Sequence, residues 1–325
     1  MRARASVIIR TYNRARLIPE TVQSVLAQTF QDFEIVIVDD GSTDDTETVL
    51  RQFNDERIRY VYQTNQGLSA ALNTGLRVSN AEYIAILDSD DLWLPEMLQT
   101  AVNTLDSKPD AGLFYAKAST IDANGKPLTQ ILGAPEKFPG ETFKSILYGD
   151  CVAPGTVVLP RICFDRVGLF DETLRGNEDW DMWVRIARHY PFAYADRTLA
   201  RYRYHKANYT SIPSNFGHLI QARIKVLDKV FSSSNIPEEA LSIEAIAYRN
   251  VYIDVGLRWL SVGVWRESAN YFWKAIRISP NPLFTPFRIL YLILFYNVLR
   301  KTRWGSRLVS RLVDLRRRWR PTPVG

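Results

Sequence analysis

Cysteine is scarce in this chain, with only Cys151 and Cys163 among 325 residues. Two cysteines cannot build a disulfide framework, and neither sits in a CxxC or Cys/His spacing that would hold zinc. A reducing compartment is the simpler setting. Several phosphate and nucleophile signatures are also missing. No GxGxxG follows the first apolar run and no GxxxxGK[ST] occurs anywhere, so the dinucleotide-fold and P-loop readings lose their strongest support. No GxSxG marks a hydrolase elbow. The N-terminus, MRARASVII, passes straight into a strand pattern, without the apolar stretch and small-residue cleavage site of a signal peptide. The most apolar stretch, 283–299, is broken by Pro286 and Arg288 and leaves a clean core of eleven residues, ILYLILFYNVL (289–299). A membrane-spanning helix needs about 20.

Charge of one sign is concentrated rather than spread. The net charge is +6, from 41 basic and 35 acidic residues. Nine of the basic residues and only one acid, Asp314, lie in 300–325, so the body is nearly neutral. This excludes a nucleic-acid-binding body and points to a tail attracted to an anionic surface. Leu308, Leu312 and Leu315 recur among the tail arginines, a pattern suited to a helix lying in the membrane interface. The expected location is cytoplasmic, peripheral on the cytoplasmic face of the membrane.

The rest is globular in composition, 46% hydrophobic and 23% charged. Its first half alternates Val/Ile-rich runs with amphipathic stretches. SVIIR (6–10), FEIVIVDD (33–40), IRYVY (58–62) and EYIAILDSD (82–90) read as strands buried on both faces. IPETVQSVLAQ (18–28), TDDTETVLRQF (43–53) and LSAALNTGLRV (68–78) read as helices. This order predicts right-handed βαβ units and a mostly parallel, Rossmann-like sheet flanked by helices. Further strands are expected at 112–118, 155–159 and 199–205, with a helix over 180–189 between the last two. From Asn215 onward the pattern is helical. Tyr252–Pro280 has the offsets of one tetratricopeptide-type hairpin, with Gly256, Trp259, Gly263, Phe272, Ala275 and Pro280 in place and no second copy. The expected divisions are 1–212, an α/β domain; 213–281, a helical region; and 282–325, a membrane-associating tail.

Ligands of open parallel sheets sit beyond the carboxyl ends of the strands. Asp39-Asp40 and Asp88-Ser89-Asp90-Asp91 both fall at such ends and should converge on one crevice. Asp88-Ser89-Asp90 is a DxD, whose carboxylates can share a hard divalent cation with a diphosphate. Alone it is a weak signal, because turns are rich in Asp. At Asp39-Asp40 a carboxylate can accept hydrogen bonds from a ribose hydroxyl or a base N–H, while Ser42 or Thr43 is expected to cap the following helix. Glu178-Asp179 opens a helix, where it is either a dipole-stabilised surface pair or the seat of a general base. His205, in RYRYHKANYTS, is a lone histidine.

Taken together and in this order, SVIIRTYNRARLIPETVQSVLAQTF, VIVDDGSTDDT, NQGLSAALNTG, YIAILDSDDLWLPEML, VGLFDETLRGNEDWDMW and YRYHKANYTS resemble the inverting glycosyltransferases of family 2, which have the GT-A fold. The resemblance covers roughly residues 5–210. It implies an activated-sugar donor, most often a UDP-sugar, with Arg10, Thr11 and Tyr12 against the base, Asp40 accepting from the uracil, Asp88 at the ribose and Ser89 beside it. It implies Asp90 as the holder of Mn²⁺ or Mg²⁺, and His205 within reach of the metal or the diphosphate. Asp179 matches the catalytic base, taking the proton of an acceptor hydroxyl as it attacks the anomeric carbon with inversion. The acceptor would be a glycan or lipid-linked sugar in cell-surface polysaccharide or glycolipid synthesis. Two positions depart from the pattern. Many members have Arg where this chain has Leu72, and a small residue or Pro near the position of Arg10. A competing reading is a catalytically idle nucleotide-sugar-binding or scaffold protein. The intact set Asp40, Asp88, Asp90, Asp179 and His205 counts against it.

Overall fold

A computed structural model describes residues 3–294. The elements of the first compact unit, which runs to Leu241, are β1 (Ala5–Thr11), α1 (Ile18–Leu26), β2 (Phe33–Asp40), α2 (Thr46–Leu50), β3 (Ile58–Gln63), α3 (Leu68–Val78), β4 (Tyr83–Asp88), β5 (Leu92–Trp93), α4 (Met97–Ser107), β6 (Leu113–Asp122), β7 (Pro127–Leu132), α5 (Thr142–Tyr148), β8 (Val157–Pro160), α6 (Ile162–Val167), α7 (Glu178–Ala187), β9 (Phe192–Tyr204), α8 (Phe216–Phe231) and α9 (Glu238–Leu241).

One sheet of nine strands has the order β3-β2-β1-β4-β8-β6-β9-β5, with β7 paired to β6. The first four strands are parallel, as the alternation predicts. Val7, Ile8 and Ile9 on β1 and Ile35 to Val38 on β2 are buried on both faces, whereas β3, expected to be buried in the same way, lies at the sheet edge with Ile58 and Val61 half-buried and Tyr62 exposed. Apolar burial on both sides is the main force holding these strands in place. Beyond β4 the sheet is mixed: β8 runs antiparallel to β4 and β6, while β9 is parallel to β6. The sequence pattern foresaw only the last part of β9, from 199. Its earlier half contains Asp196, which pairs with Lys117 opposite a register shift at Ala116–Ala118. A bulge breaks the two-residue period, so the strand signal is lost there.

Register sets up the cleft. Arg10 lies directly opposite Asp88 on β4 and Val38 on β2, and Thr11 opposite Asp39. The carboxyl ends of β2, β1 and β4 therefore line up in one row. The expected N-cap at Ser42 or Thr43 does not form: the first N–H of α2, that of Thr46, goes to Asp44 Oδ1 at 3.1 Å. Ser42 Oγ instead accepts the Asn13 N–H at 2.8 Å, and Asn13 Oδ1 accepts the Thr43 N–H at 2.7 Å. Asn13 holds φ = 52°, in the left-handed region that Asn tolerates better than most residues. The two loops at the mouth of the sheet are thereby tied to each other, and the Arg14 N–H donates to Thr46 Oγ1 at the start of α2.

The second compact unit begins at Ser242 and contains α10 (Glu244–Ser261), α11 (Trp265–Ile278) and α12 (Thr285–Leu294). α10 and α11 form a helical hairpin that turns at Gly263, where φ is 79°. A side chain at Gly256 would meet the Phe272 ring at 2.4 Å, so glycine permits the close packing of the two helices. Ile289 of α12 packs with Ile253 and Ala275.

Candidate active site

A cleft of about 560 Å³ opens over the carboxyl ends of β1, β2 and β4. It brings together Arg10, Thr11, Tyr12, Asp40, Asp88, Ser89, Asp90 and Asp179, eight of the nine residues selected from sequence. The ninth, His205, stands behind the wall, with Nε2 at 2.9 Å from Asp90 Oδ2.

Asp40 is almost fully buried and works first as an anchor. Its Oδ1 accepts from Gln63 Nε2 and the Gln66 N–H, and its Oδ2 from the Gly67 N–H, each at 2.8 Å. Gly67 has φ = 94°, which lets the chain turn into α3 with that N–H aimed back at the carboxylate. An ionised carboxylate has about four acceptor positions, so one remains for a ligand. Asp39, by contrast, points away from the cleft lining and accepts from the Ser42 N–H and the Tyr60 hydroxyl. Thr11 Oγ1 is buried and has no hydrogen-bond partner among the described residues. An unpaired hydroxyl on the cleft wall is a place for a ligand group to bind.

Asp90 is buried beside two basic groups. Burial pushes its carboxyl up, but the His205 ring and the Arg14 guanidinium outweigh that and hold it below its ordinary value. Arg14 Nε donates to Asp90 Oδ2 at 3.3 Å and its Nη2 donates to the Ala207 carbonyl. Among the described residues no three His, Cys, Asp or Glu side chains cluster as a closed metal cage. An open site does not need one, since Mg²⁺ and Mn²⁺ commonly take one or two protein ligands and complete the shell with phosphate and water. Asp90 and His205, joined by a hydrogen bond, are the side chains that would hold such an ion. The Ala207 N–H donates to Nδ1 of the ring at 3.2 Å, which puts the ring proton on Nε2, where a cation would take its place.

The other wall is the start of α7. Gly176 and Asn177 are both left-handed, at φ = 96° and 54°. A Cβ at Gly176 would meet Leu219 Cδ2 of α8 at 2.5 Å. Asn177 donates from Nδ2 to the Leu219 carbonyl at 3.0 Å and accepts from Arg223 Nε at 3.1 Å. α8 therefore fixes the turn that aims α7 at the cleft. The first turn of α7 carries three acids, and two are matched by cations. Glu178 accepts from Arg10, and Asp181 pairs with Arg185 and Lys229. Asp179 forms no ion pair among the described residues and accepts only the Trp180 N–H, at 2.7 Å. Burial, then the charges of Glu178 and Asp150, raises its carboxyl to about 7. That is the range in which a carboxylate can act as a general base near neutral pH.

Sequence reasoning missed Arg14, Glu178 as the partner of Arg10, and the Gly176-Asn177 turn. The GN dipeptide was a visible turn signal. The Arg14–Asp90 and Arg10–Glu178 pairs join residues 76 and 168 positions apart, and no local pattern announces them.

Comparison with known proteins places the chain in a family. Residues 6–154 match the family model described as Glycosyl transferase family 2. An uncharacterized glycosyltransferase of Rickettsia typhi is 31% identical over 214 residues, covering 65% of this chain and 67% of that protein. The chain belongs to glycosyl transferase family 2. Another relative of this glycosyltransferase is the putative teichuronic acid biosynthesis glycosyltransferase TuaG of Bacillus subtilis, 33% identical over 61% of this chain and 78% of its own length. Among solved structures, S. aureus TarS 1–349 in complex with UDP-GlcNAc superposes with a TM-score of 0.64 at 20% identity, covering all of this chain and 95% of TarS 1–349. The mannosyltransferase PcManGT from Pyrobaculum calidifontis, in complex with GDP-Man and Mn²⁺, superposes with a TM-score of 0.63 at 21% identity, over 98% of this chain and 89% of its own. At that identity the two structures speak to the fold, which is GT-A followed by a helical C-terminal region.

Proposed function

We propose that this glycosyltransferase moves a sugar from a UDP-sugar to a hydroxyl of a glycan or lipid-linked acceptor, with inversion, in cell-surface polysaccharide or glycolipid synthesis. The observation that carries the reading is Asp179, a carboxylate without a cation partner among the described residues and poised near neutrality, on the wall of the same cleft as Asp40, Asp88 and Asp90. UDP-GlcNAc in TarS and the teichuronic acid assignment of TuaG support the donor and acceptor classes. The nucleotide would lie along the strand ends, with Thr11 and Asp40 at the base, and Asp88 and Ser89 at the ribose. The acceptor hydroxyl gives its proton to Asp179 as its oxygen attacks the anomeric carbon, and the nucleoside diphosphate leaves from the opposite face. Arg14 lies on the cleft wall where its guanidinium can meet the diphosphate. A divalent cation at Asp90 and His205 would neutralise charge developing on that leaving group. A donor screen with each nucleotide sugar and Mn²⁺, read as nucleoside diphosphate release, tests the reading. Release from GDP-sugars alone would overturn the UDP assignment, and release from none would overturn the activity.

Asp40→Asn is expected to weaken UDP binding by about tenfold or more while kcat at saturating donor changes little. The amide cannot accept from three donors as a carboxylate does, and the 63–67 loop loosens with it. Calorimetry beside initial rates checks this. An unchanged UDP affinity would remove Asp40 from the nucleotide site.

The protein is proposed to sit peripherally on the cytoplasmic face of a membrane. Among the described residues no helix is long and apolar enough to cross one. α12 is apolar on two sides: Ile289 faces the unit's own core, while Phe287, Leu290 and Tyr291 are exposed. The basic segment 300–325 lies outside the described residues. Removing it is expected to abolish the salt-sensitive part of binding to anionic vesicles, and Phe287→Glu/Leu290→Glu the salt-resistant part. Full-length protein that stays off anionic vesicles at low salt would sink the membrane reading.

A further inference from the structure

Residues 149–156 link α5 to β8 and run past the start of α7. Pro154 lines the main cleft, and Val152, Ala153 and Pro154 border a smaller cavity of about 40 Å³ together with Asp179. Trp180 ties α7 to α5, its Nε1 donating to the Ile146 carbonyl at 3.1 Å. From α8 the Arg223 guanidinium stands 5.7 Å from the centre of the Trp180 ring. Asp150 lies four residues beyond Ile146, inside this frame. Its Oδ1 accepts the Val152 N–H at 3.0 Å, and its Oδ2 accepts no hydrogen bond among the described residues. The side chain is exposed, yet crowding by the surrounding protein pushes its carboxyl up to about 6, against the charge of Arg223. A carboxylate open to water on one side and crowded on the others sits on the floor of a recess. Asp179 is close enough for the Asp150 charge to raise it.

We propose that Asp150 binds the acceptor: its Oδ2 accepts a hydrogen bond from a sugar hydroxyl adjacent to the one that attacks, and so selects which hydroxyl reaches Asp179. The proposal rests on the reading of Asp179 as the base. With inversion the acceptor approaches from the side opposite the leaving group. The diphosphate would lie at the strand ends, so the acceptor comes in past the start of α7. Asp150 offers an unused carboxylate oxygen there, outside the main cleft, which its loop enters only at Pro154. A hydroxyl bonded to a carboxylate makes a charge-assisted hydrogen bond, roughly twice as strong as a neutral one. A site built to bond a hydroxyl also rejects the analogue lacking it far more sharply than an apolar pocket does. The acceptor class is therefore a pyranoside with two free neighbouring hydroxyls. The same charge acts on the base. Asp150 from its loop and Glu178 from α7 raise Asp179, Arg10 from β1 lowers it, and Arg223 from α8 is the cation that faces Asp150.

The test uses the full chain, a panel of octyl hexopyranosides as acceptors, and the monodeoxy forms of the glycoside that accepts. Asp150→Ala should raise the acceptor KM about tenfold or more, with the donor KM moving less, and should increase the share of donor lost to water. The parent should lose a similar factor when the neighbouring hydroxyl is removed from the acceptor, and Asp150→Ala should no longer tell that deoxy acceptor from the intact one. Asp150→Asn keeps the Val152 contact and removes only the charge. It should move the acidic limb of the rate to lower pH by about half a unit, because one negative charge facing Asp179 is gone while Glu178 and Arg10 remain. An Asp150→Ala variant that discriminates the two acceptors as the parent does overturns the proposal, and so does an acidic limb that stays in place in Asp150→Asn. A panel in which no glycoside accepts, although the donor is hydrolysed, overturns the acceptor class. Loss of about 10²–10⁴ in both hydrolysis and transfer in Asp150→Asn would make Asp150 the base itself and overturn its place at the acceptor. A parent chain that hydrolyses no donor would instead defeat the glycosyltransferase reading, and a fully active Asp179→Asn variant the reading of the base.

Discussion

Asp179→Asn should cut kcat by about 10²–10⁴ while UDP affinity stays within a few-fold of the parent, because a general base acts on the acceptor and not on the nucleotide. Asn is nearly isosteric and still accepts the Trp180 N–H, but it takes no proton at neutral pH. A helix-start role alone forecasts the opposite, since Asn caps nearly as well as Asp and activity would survive. The pH profile carries a second signature. The base works deprotonated, and burial with the Glu178 and Asp150 charges lifts its carboxyl to about 7. The parent rate should therefore rise with pH through an acidic limb near 7, and a limb near 4 would place the base elsewhere. Stability should move the other way. The folded-state value lies above the unfolded one, so the ionised carboxylate costs progressively more as pH climbs from about 4 to about 7. Asp179→Asn removes that cost, and its gain in Tm should be larger at pH 8 than at pH 5.

The parts of this site that could be read from sequence are those that depend on strand ends. A strand buried on both faces must be a continuous apolar run, so its polar terminus stands out. Asp39-Asp40 and Asp88 to Asp91 stood out in that way, and the cleft lies where the parallel order puts it. Pairing was not legible. Register sets Arg10 directly across from Asp88 and its guanidinium pairs with Glu178, partners that no local pattern announces. The cap expected at Ser42 or Thr43 was displaced by a tertiary contact, with Asn13 supplying the partners that local sequence assigned to the helix. α8 follows the resembling stretch and carries no motif, but Leu219 fills the space above Gly176 and lines the cleft. Packing of that kind is specified by shape at long range and leaves no periodic trace.

Chelation should remove transfer and added Mn²⁺ or Mg²⁺ should restore it. The diphosphate of a nucleotide sugar brings concentrated negative charge to strand ends that already carry Asp88, Asp90 and the buried Asp91. Asp91 shows how crowded that corner is: burial and then the charges of Asp90 and Asp88 push its carboxyl well above the usual range. Arg14 offsets one carboxylate, Asp90, whose Oδ2 His205 also contacts. A divalent ion held at Asp90 would add positive charge against the leaving group. Asp90→Ala should then lose activity with little change in Tm, because removing a buried carboxylate also relieves Asp91, and UDP affinity in the presence of Mn²⁺ should fall toward the value measured in chelator. His205→Gln keeps a donor toward Asp90 but is a poor metal ligand, and it should raise the Mn²⁺ concentration needed for half-maximal rate more than it lowers the maximal rate. Full activity of the parent in excess chelator, or an Asp90→Ala variant that still responds to Mn²⁺ as the parent does, would take the cation out of the mechanism and leave Arg14 and His205 to meet the diphosphate directly.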